Sequence, residues 1–76
     1  MEIIEAKLNK NGVPVGKALV QHNGDFYIVS ESSVRGLETL IFRADAAGNV
    51  TDYIEVGGSR GVRLHEVLAN FESELF

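Results

Sequence analysis

The sequence predicts an α+β protein in which an antiparallel sheet of about five strands, a meander plus a hairpin, is packed by one C-terminal amphipathic helix. Two observations lead to this prediction. Apolar and polar residues alternate through much of the chain between turn-forming pairs, whereas helical spacing occurs only near the end. We expect the 76 residues to form a single domain, 1–76. Its core must be small, because a chain of this size removes only about 60% of its unfolded surface from water.

The first two strands are expected to form a hairpin. Residues 2–9 alternate apolar and polar side chains, as in a half-buried strand. The pair Asn11-Gly12 follows. This pair favours a two-residue type I′ turn, because both of its positions need positive φ. Such a turn would place Leu8 opposite Val15.

A second hairpin leads into a third strand at residues 25–30. Asn23-Gly24 has the same turn-forming chemistry as the first pair. The third strand is apolar on both faces, so we expect one face to be covered by another element or by another subunit. That face would carry Ala18, Val20, Tyr27 and Val29.

The last two strands are residues 39–45 and 50–56, joined by a loop at residues 46–49. This arrangement would place Phe42 opposite Tyr53. Cross-strand pairs of this kind contribute a few tenths to about 1 kcal/mol each.

The C-terminal helix has the clearest pattern of all the elements. Apolar residues at i, i+3, i+4, i+7 and i+11 form one stripe: Leu64, Val67, Leu68, Phe71 and Leu75. A helix of about 12 residues is marginal by itself. We therefore expect its stripe to pack on the sheet.

The charge of the protein is unevenly distributed. Residues 1–37 contain four acidic and four basic side chains, so the net charge of −4 lies entirely in residues 38–76, which contain seven acidic and three basic side chains. A negative electrostatic field of this kind repels nucleic acid and attracts basic surfaces. A simpler interpretation is that surface carboxylates keep a small protein soluble. The candidate partner-binding residues are Asp52, Glu55, Glu66, Glu72 and Glu74.

Other residue types indicate which functions to exclude. There is no cysteine, and His22 and His65 belong to no recognisable catalytic or metal-binding set. No apolar run approaches the roughly 20 residues of a membrane helix, and the first residues lack the basic stretch of a secretory signal peptide. We expect a cytoplasmic protein that is not an enzyme and has no metal, cofactor, membrane association or direct contact with nucleic acid.

The segment Gly57-Gly58-Ser59-Arg60-Gly61 precedes the predicted helix and raises the question of a phosphate loop. The Walker pattern needs a lysine followed by serine or threonine, and the Rossmann pattern needs an acidic residue about 20 positions further on. Neither requirement is met. Glycine amides with Arg60 or Arg63 near a helix start could still hold one anion. The simpler interpretation is a strand-to-helix joint.

Three stretches resemble a pattern of small phage and prophage proteins of undefined function. Residues 26–30, 36–42 and 48–55 are similar to Y-x-V-S, G-x-E-T-x-V-F and G-x-V-T-D-W-x-E-L of that pattern. The resemblance covers about residues 26–72, and Tyr53 stands where the pattern has tryptophan. It implies a phage origin and assigns no site residue.

A phage origin implies a type of function. Small acidic phage proteins are often stoichiometric inhibitors of host machinery, including CRISPR–Cas effectors with basic grooves for nucleic acid. The leading hypothesis is an anti-CRISPR-like protein that covers a basic surface of a bacterial host protein. One alternative is a structural or assembly protein that forms a homodimer through the apolar face of the third strand. Another is a small anion-binding enzyme built around residues 57–63.

Overall fold

The fold is a five-stranded antiparallel meander followed by two short helices. A computed structural model describes residues 1–76. The strands are β1 (Glu2–Leu8), β2 (Pro14–His22), β3 (Asp25–Ser32), β4 (Glu38–Ala44) and β5 (Val50–Arg60), and the helices are α1 (Leu64–Ala69) and α2 (Phe71–Glu74). The strands lie in the sheet in the order of the sequence. The predicted α+β class is confirmed, with a sheet that is not closed.

The core lies between one face of the sheet and the two helices. The strands contribute Ala18, Val20, Tyr27, Val29 and Ile41, and the helices contribute Leu64, Val67, Leu68 and Phe71. The prediction that this face of β2 and β3 is free to form a homodimer is wrong, because α1 and α2 cover it. The apolar stripe of the C-terminal region supplies the cover instead of a second subunit.

The opposite face of the sheet is partly covered by the turn between β4 and β5. This turn folds back so closely that a methyl group placed on Gly48 would lie 3.6 Å from the side chain of Leu19 and 3.9 Å from that of Ile28. Both Leu19 and Ile28 are buried. The strand that is apolar on both faces is therefore covered on both faces.

The predicted single helix is in fact two helices that meet at Asn70. The backbone of this residue is not helical (φ −122°, ψ 32°), and its N–H is shared by the carbonyl oxygens of Glu66 and Val67, at 3.2 Å each. The break lets the last residues return to the sheet, where the N–H of Phe76 donates to the carbonyl oxygen of Val56 (2.9 Å). Neither α1 nor α2 has the length and apolar character needed to span a bilayer.

The two Asn-Gly pairs form different turns. Asn23-Gly24 has positive φ at both positions, as predicted for type I′. At the turn of the first hairpin, Gly12 has positive φ but Asn11 does not, and the N–H of Gly12 donates to the carbonyl oxygen of Asn9 (3.0 Å). The side chain of Asn9 accepts hydrogen bonds from the N–H groups of Asn11 and Val13, at 2.8 and 3.1 Å. The first loop is therefore one residue longer than predicted.

The registers of the two outer strand pairs also differ from prediction. Leu8 lies opposite Pro14 instead of Val15, as the longer loop requires. On the other side of the sheet, Phe42 lies opposite Glu55 rather than Tyr53. Irregularities in the pairing of β4 with β5 cause this shift, and Tyr53 has a positive φ of 56° within the irregular region.

Candidate functional site

The glycine-rich segment before α1 begins inside a strand. Gly57 and Gly58 belong to β5, and Gly57 lies opposite Ile41. A methyl group on Gly57 would collide with the carbonyl oxygen of Glu74, and one on Gly58 would collide with the carbonyl oxygen of Thr39. The prediction of a strand-to-helix joint is wrong for these two residues. Glycine is needed there because other backbone segments approach closely.

The backbone N–H groups of Arg63 and Leu64, at the start of α1, have partners within the protein. A carboxylate oxygen of Glu31, on β3, accepts a hydrogen bond from the N–H of Leu64 (2.9 Å), and its other oxygen lies 3.9 Å from Nη1 of Arg63. The side chain of Glu66 accepts a hydrogen bond from the N–H of Arg63 (3.1 Å). The position that the sequence offered to an external anion is thus occupied by Glu31. The anion-binding alternative gains no support from this geometry.

Two further hydrogen bonds fix the segment between β5 and α1. Thr39 is fully buried, and its hydroxyl donates to the carbonyl oxygen of Val62 (2.7 Å). The N–H of Gly61 donates to the carbonyl oxygen of Leu37 (2.7 Å). The segment is therefore held against β4 and the residue that precedes it.

Two of the five predicted partner-binding carboxylates have structural partners. Glu66 accepts the hydrogen bond at the start of α1 described above. Glu74 is half-buried and accepts a hydrogen bond from the hydroxyl of Ser59 on β5. These two residues support the packing of the helices, a role that the sequence pattern did not reveal.

The other three predicted carboxylates are exposed. Asp52 and Glu55 lie on β5, where Asp52 accepts a hydrogen bond from the N–H of Ile54 (3.1 Å). Glu72 lies on α2 beside a groove that is also lined by His22. The five carboxylates are thus distributed over β5, α1 and α2. No three acidic or histidine side chains come together in a way that could hold a metal ion.

The ion pairs of the protein use other acidic residues. They are Arg43–Asp25, Arg60–Glu38 and Arg63–Glu31, each at 3.9 Å. These pairs are partly solvated and individually weak. They nevertheless involve all three basic side chains of residues 38–76, which are Arg43, Arg60 and Arg63. The five predicted partner-binding carboxylates form no ion pair, so their charge is not compensated within the chain.

The two histidines occupy different environments. His22 packs edge-on against Phe71, with ring centroids 5.2 Å apart, and its Nε2 lies 3.3 Å from the side-chain nitrogen of Asn23. His65 is exposed on α1. His22 therefore helps to seat α2 on the sheet.

The turn between β4 and β5 is organised by Asp45. Its carboxylate accepts hydrogen bonds from the N–H groups of Ala47 (3.0 Å) and Asn49 (2.9 Å) and from the side-chain amide of Asn49 (3.2 Å). The hydrogen bonds from Asn49 favour the charged form and lower the pKa of Asp45 below its ordinary value of 3.8. Asp45 thus stabilises its own turn.

Exposed apolar side chains are concentrated at the two edges of the sheet. Those on or beside β1 are Met1, Ile3, Ile4 and Leu8, and those near the opposite edge are Tyr53, Ile54 and Phe76. Sequence reasoning missed this feature, because it assigned Ile4 and Leu8 to a half-buried face. The adjacent pair Ile3-Ile4, which interrupts the alternation, was the available signal.

Comparisons of this chain with protein-family models, with curated proteins and with solved structures found no match. Its function must therefore be inferred from its own surface.

Proposed function

We propose that this protein is a non-catalytic, acidic binding protein that inhibits a host protein by covering a basic surface built for nucleic acid. One observation carries the proposal. Asp52, Glu55 and Glu72 are exposed and form no ion pair within the chain. Their attraction for a basic surface is therefore not offset by internal counter-charges.

The position of the carboxylates on β5 favours binding. Glu55 lies opposite Phe42 of β4, whereas Asp52 lies in the irregular stretch of β5 between Val50 and Glu55. On the other side, the backbone of Phe76 bonds to Val56, the residue after Glu55. The backbone at Glu55, held in this way on both sides, loses little conformational freedom when it binds, so more of the charge attraction of Glu55 contributes to affinity.

The resemblance to small phage proteins suggests which host proteins to consider. A CRISPR–Cas effector in the bacterial cytoplasm holds nucleic acid in a positively charged channel. Carboxylates on a small domain can occupy such a channel in place of phosphates. The proposed partner is thus a basic protein surface and not nucleic acid itself.

The proposal can be tested with a purified CRISPR–Cas effector and its target DNA in a mobility-shift titration. We expect the protein to abolish DNA binding at an equimolar ratio. The variant Glu55→Gln/Glu72→Gln should inhibit about tenfold less well or worse, because close charge pairs across an interface contribute on the order of 1.5 kcal/mol or more. Glu66 and Glu74 are left unchanged, because their loss would also disturb the helices.

A matched control separates local from overall charge. The variant Asn11→Lys/Ser33→Lys changes two exposed residues without assigned side-chain bonds in the N-terminal half. It has the same net charge as Glu55→Gln/Glu72→Gln, −2 instead of −4. It should inhibit nearly as well as the unmodified protein. Equal inhibition by both variants, or no inhibition by the unmodified protein, would reject the proposal.

A further inference from the structure

The outer edge of β1 is an unpaired strand edge with exposed apolar side chains. β1 is the first strand of the sheet and pairs only with β2. Ile4 and Leu8 are 43% and 55% exposed. The other edge strand, β5, is different, because the C-terminal residues pair with it at Gly57. An uncovered edge of this kind is a template for pairing with another chain.

The second half of β1 is regular enough to accept a partner strand. The extra residue of the first pairing irregularity is Ile4, whereas the extra residues of the second lie on β2, between Val15 and Ala18. β1 is therefore continuous from Glu5 to Leu8. The N–H of Asn9 points towards β2, where it donates to Val13. Because hydrogen-bonding directions alternate along an antiparallel strand, the backbone groups at positions 8 and 6 point outward.

The sequence of β1 is complementary to itself when it runs antiparallel about Ala6. In this register Glu5 of one copy lies opposite Lys7 of the other, and the reverse pair forms by symmetry. A shift by two residues in either direction would place Glu5 opposite Glu5 or Lys7 opposite Lys7, which is unfavourable. The charges therefore select one register.

We propose that β1 pairs with β1 of a second copy of this chain, about a two-fold axis at Ala6, to form a continuous ten-stranded sheet. This interface differs from the one predicted from the sequence, which used a face now buried under the helices. It is also independent of the acidic surface on β5 and α2. The regular contact spans Glu5–Lys7 of each copy and is small, so we expect a weak dimer that is best sought at about 10 µM to 1 mM.

Charge reversal gives a direct test by sedimentation equilibrium over that concentration range. The unmodified protein should dimerise. Glu5→Lys places lysines opposite each other twice in the symmetric pair, and Lys7→Glu does the same with glutamates, so each variant alone should dimerise at least tenfold more weakly. An equimolar mixture of the two variants should dimerise as well as the unmodified protein, because every opposed pair is again of opposite charge. The double variant Glu5→Lys/Lys7→Glu should dimerise equally well.

The controls address folding and general charge effects. Both residues are exposed and belong to no ion pair in the monomer, so circular dichroism should show an unchanged fold. Glu55→Lys gives the same charge change as Glu5→Lys on β5, at the opposite edge of the sheet from β1, and should leave dimerisation unaltered. A protein that is monomeric at 1 mM overturns the proposal. So does a dimer that Glu5→Lys fails to weaken, or a mixture of variants that does not recover it.

Discussion

Replacement of Gly57 by alanine is expected to separate the C-terminal residues from β5. The added methyl group would collide with the carbonyl oxygen of Glu74 and lie 2.9 Å from Cδ1 of Ile41 and 3.0 Å from Cα of Leu75. Two of these three atoms belong to the backbone, so a change of side-chain rotamer cannot relieve the contact. The last residues must move away from the strand.

The expected loss of stability has two contributions. Overpacking at a closely packed site costs about 1–3 kcal/mol. The hydrogen bond from the N–H of Phe76 to the carbonyl oxygen of Val56 (2.9 Å), which would be lost, contributes about 0.5–1.5 kcal/mol. We therefore expect Gly57→Ala to lower the free energy of unfolding by about 1.5–4.5 kcal/mol. This is a large fraction of the stability of a small domain.

Urea denaturation followed by circular dichroism measures this loss. Gly36→Ala is the control, because a methyl group there meets no atom within 4 Å and only the positive φ of 89° is unfavourable. Gly36→Ala should lower the free energy of unfolding by about 1–2 kcal/mol. In a chain that ends at Ser73, the backbone atoms that block the methyl group are absent, and Gly57→Ala should cost less than about 1 kcal/mol. An equal loss in the full-length and shortened chains would refute the steric reasoning.

Two further predictions concern buried and titrating polar groups. Thr39→Val removes the hydroxyl that donates a hydrogen bond to the carbonyl oxygen of Val62, so urea denaturation should show a free energy of unfolding lower by about 1–3 kcal/mol. Thr39→Ser keeps a hydroxyl and should lower the free energy of unfolding less. An equal decrease in the two variants would contradict the role of the hydroxyl. The pKa of Asp45 is lowered in the folded protein, so its contribution to stability is present above its ordinary value of 3.8 and is lost as the pH falls through the lowered pKa. Thermal melts of Asp45→Asn should accordingly depend less on pH below about pH 4 than those of the unmodified protein, and parallel pH profiles would contradict this.

The turns show how far a short sequence pattern can predict local structure. The pair Asn23-Gly24 forms the predicted turn, but the same pair at positions 11 and 12 does not. The difference comes from Asn9, whose side chain bonds to the backbone on the far side of the loop. Asp45 does the same for the turn before β5. An Asn or Asp three residues before a glycine was therefore the more informative signal.

Register and helix length were less predictable for physical reasons. A single extra residue, such as Ile4 in β1, changes every later strand pair, and its position depends on contacts made by both strands. The helical stripe correctly identified Leu64, Val67, Leu68 and Phe71 as buried, but its fifth residue, Leu75, lies beyond α2, has an extended backbone and is only partly buried. Its period did not reveal the break at Asn70, because a stripe continues almost unchanged across one non-helical residue.

The acidic surface could be predicted in composition but not in detail. The sequence identified Asp52, Glu55 and Glu72 as surface carboxylates, and they are exposed. It did not distinguish them from Glu66 and Glu74, which support the helices. The partner of Glu74 is 15 positions away in the sequence. Such a contact exists only once the chain has folded.

The order of the strands has a consequence for the way this chain folds during synthesis. Each strand pairs with the one made just before it, so the hairpins can form in turn as the chain leaves the ribosome. The apolar face of β2 and β3 remains exposed to solvent until residues 64–76 leave the ribosome, because these residues cover it in the folded protein. An intermediate in which residues 64–76 have not yet packed on the sheet exposes this apolar face and is prone to aggregate.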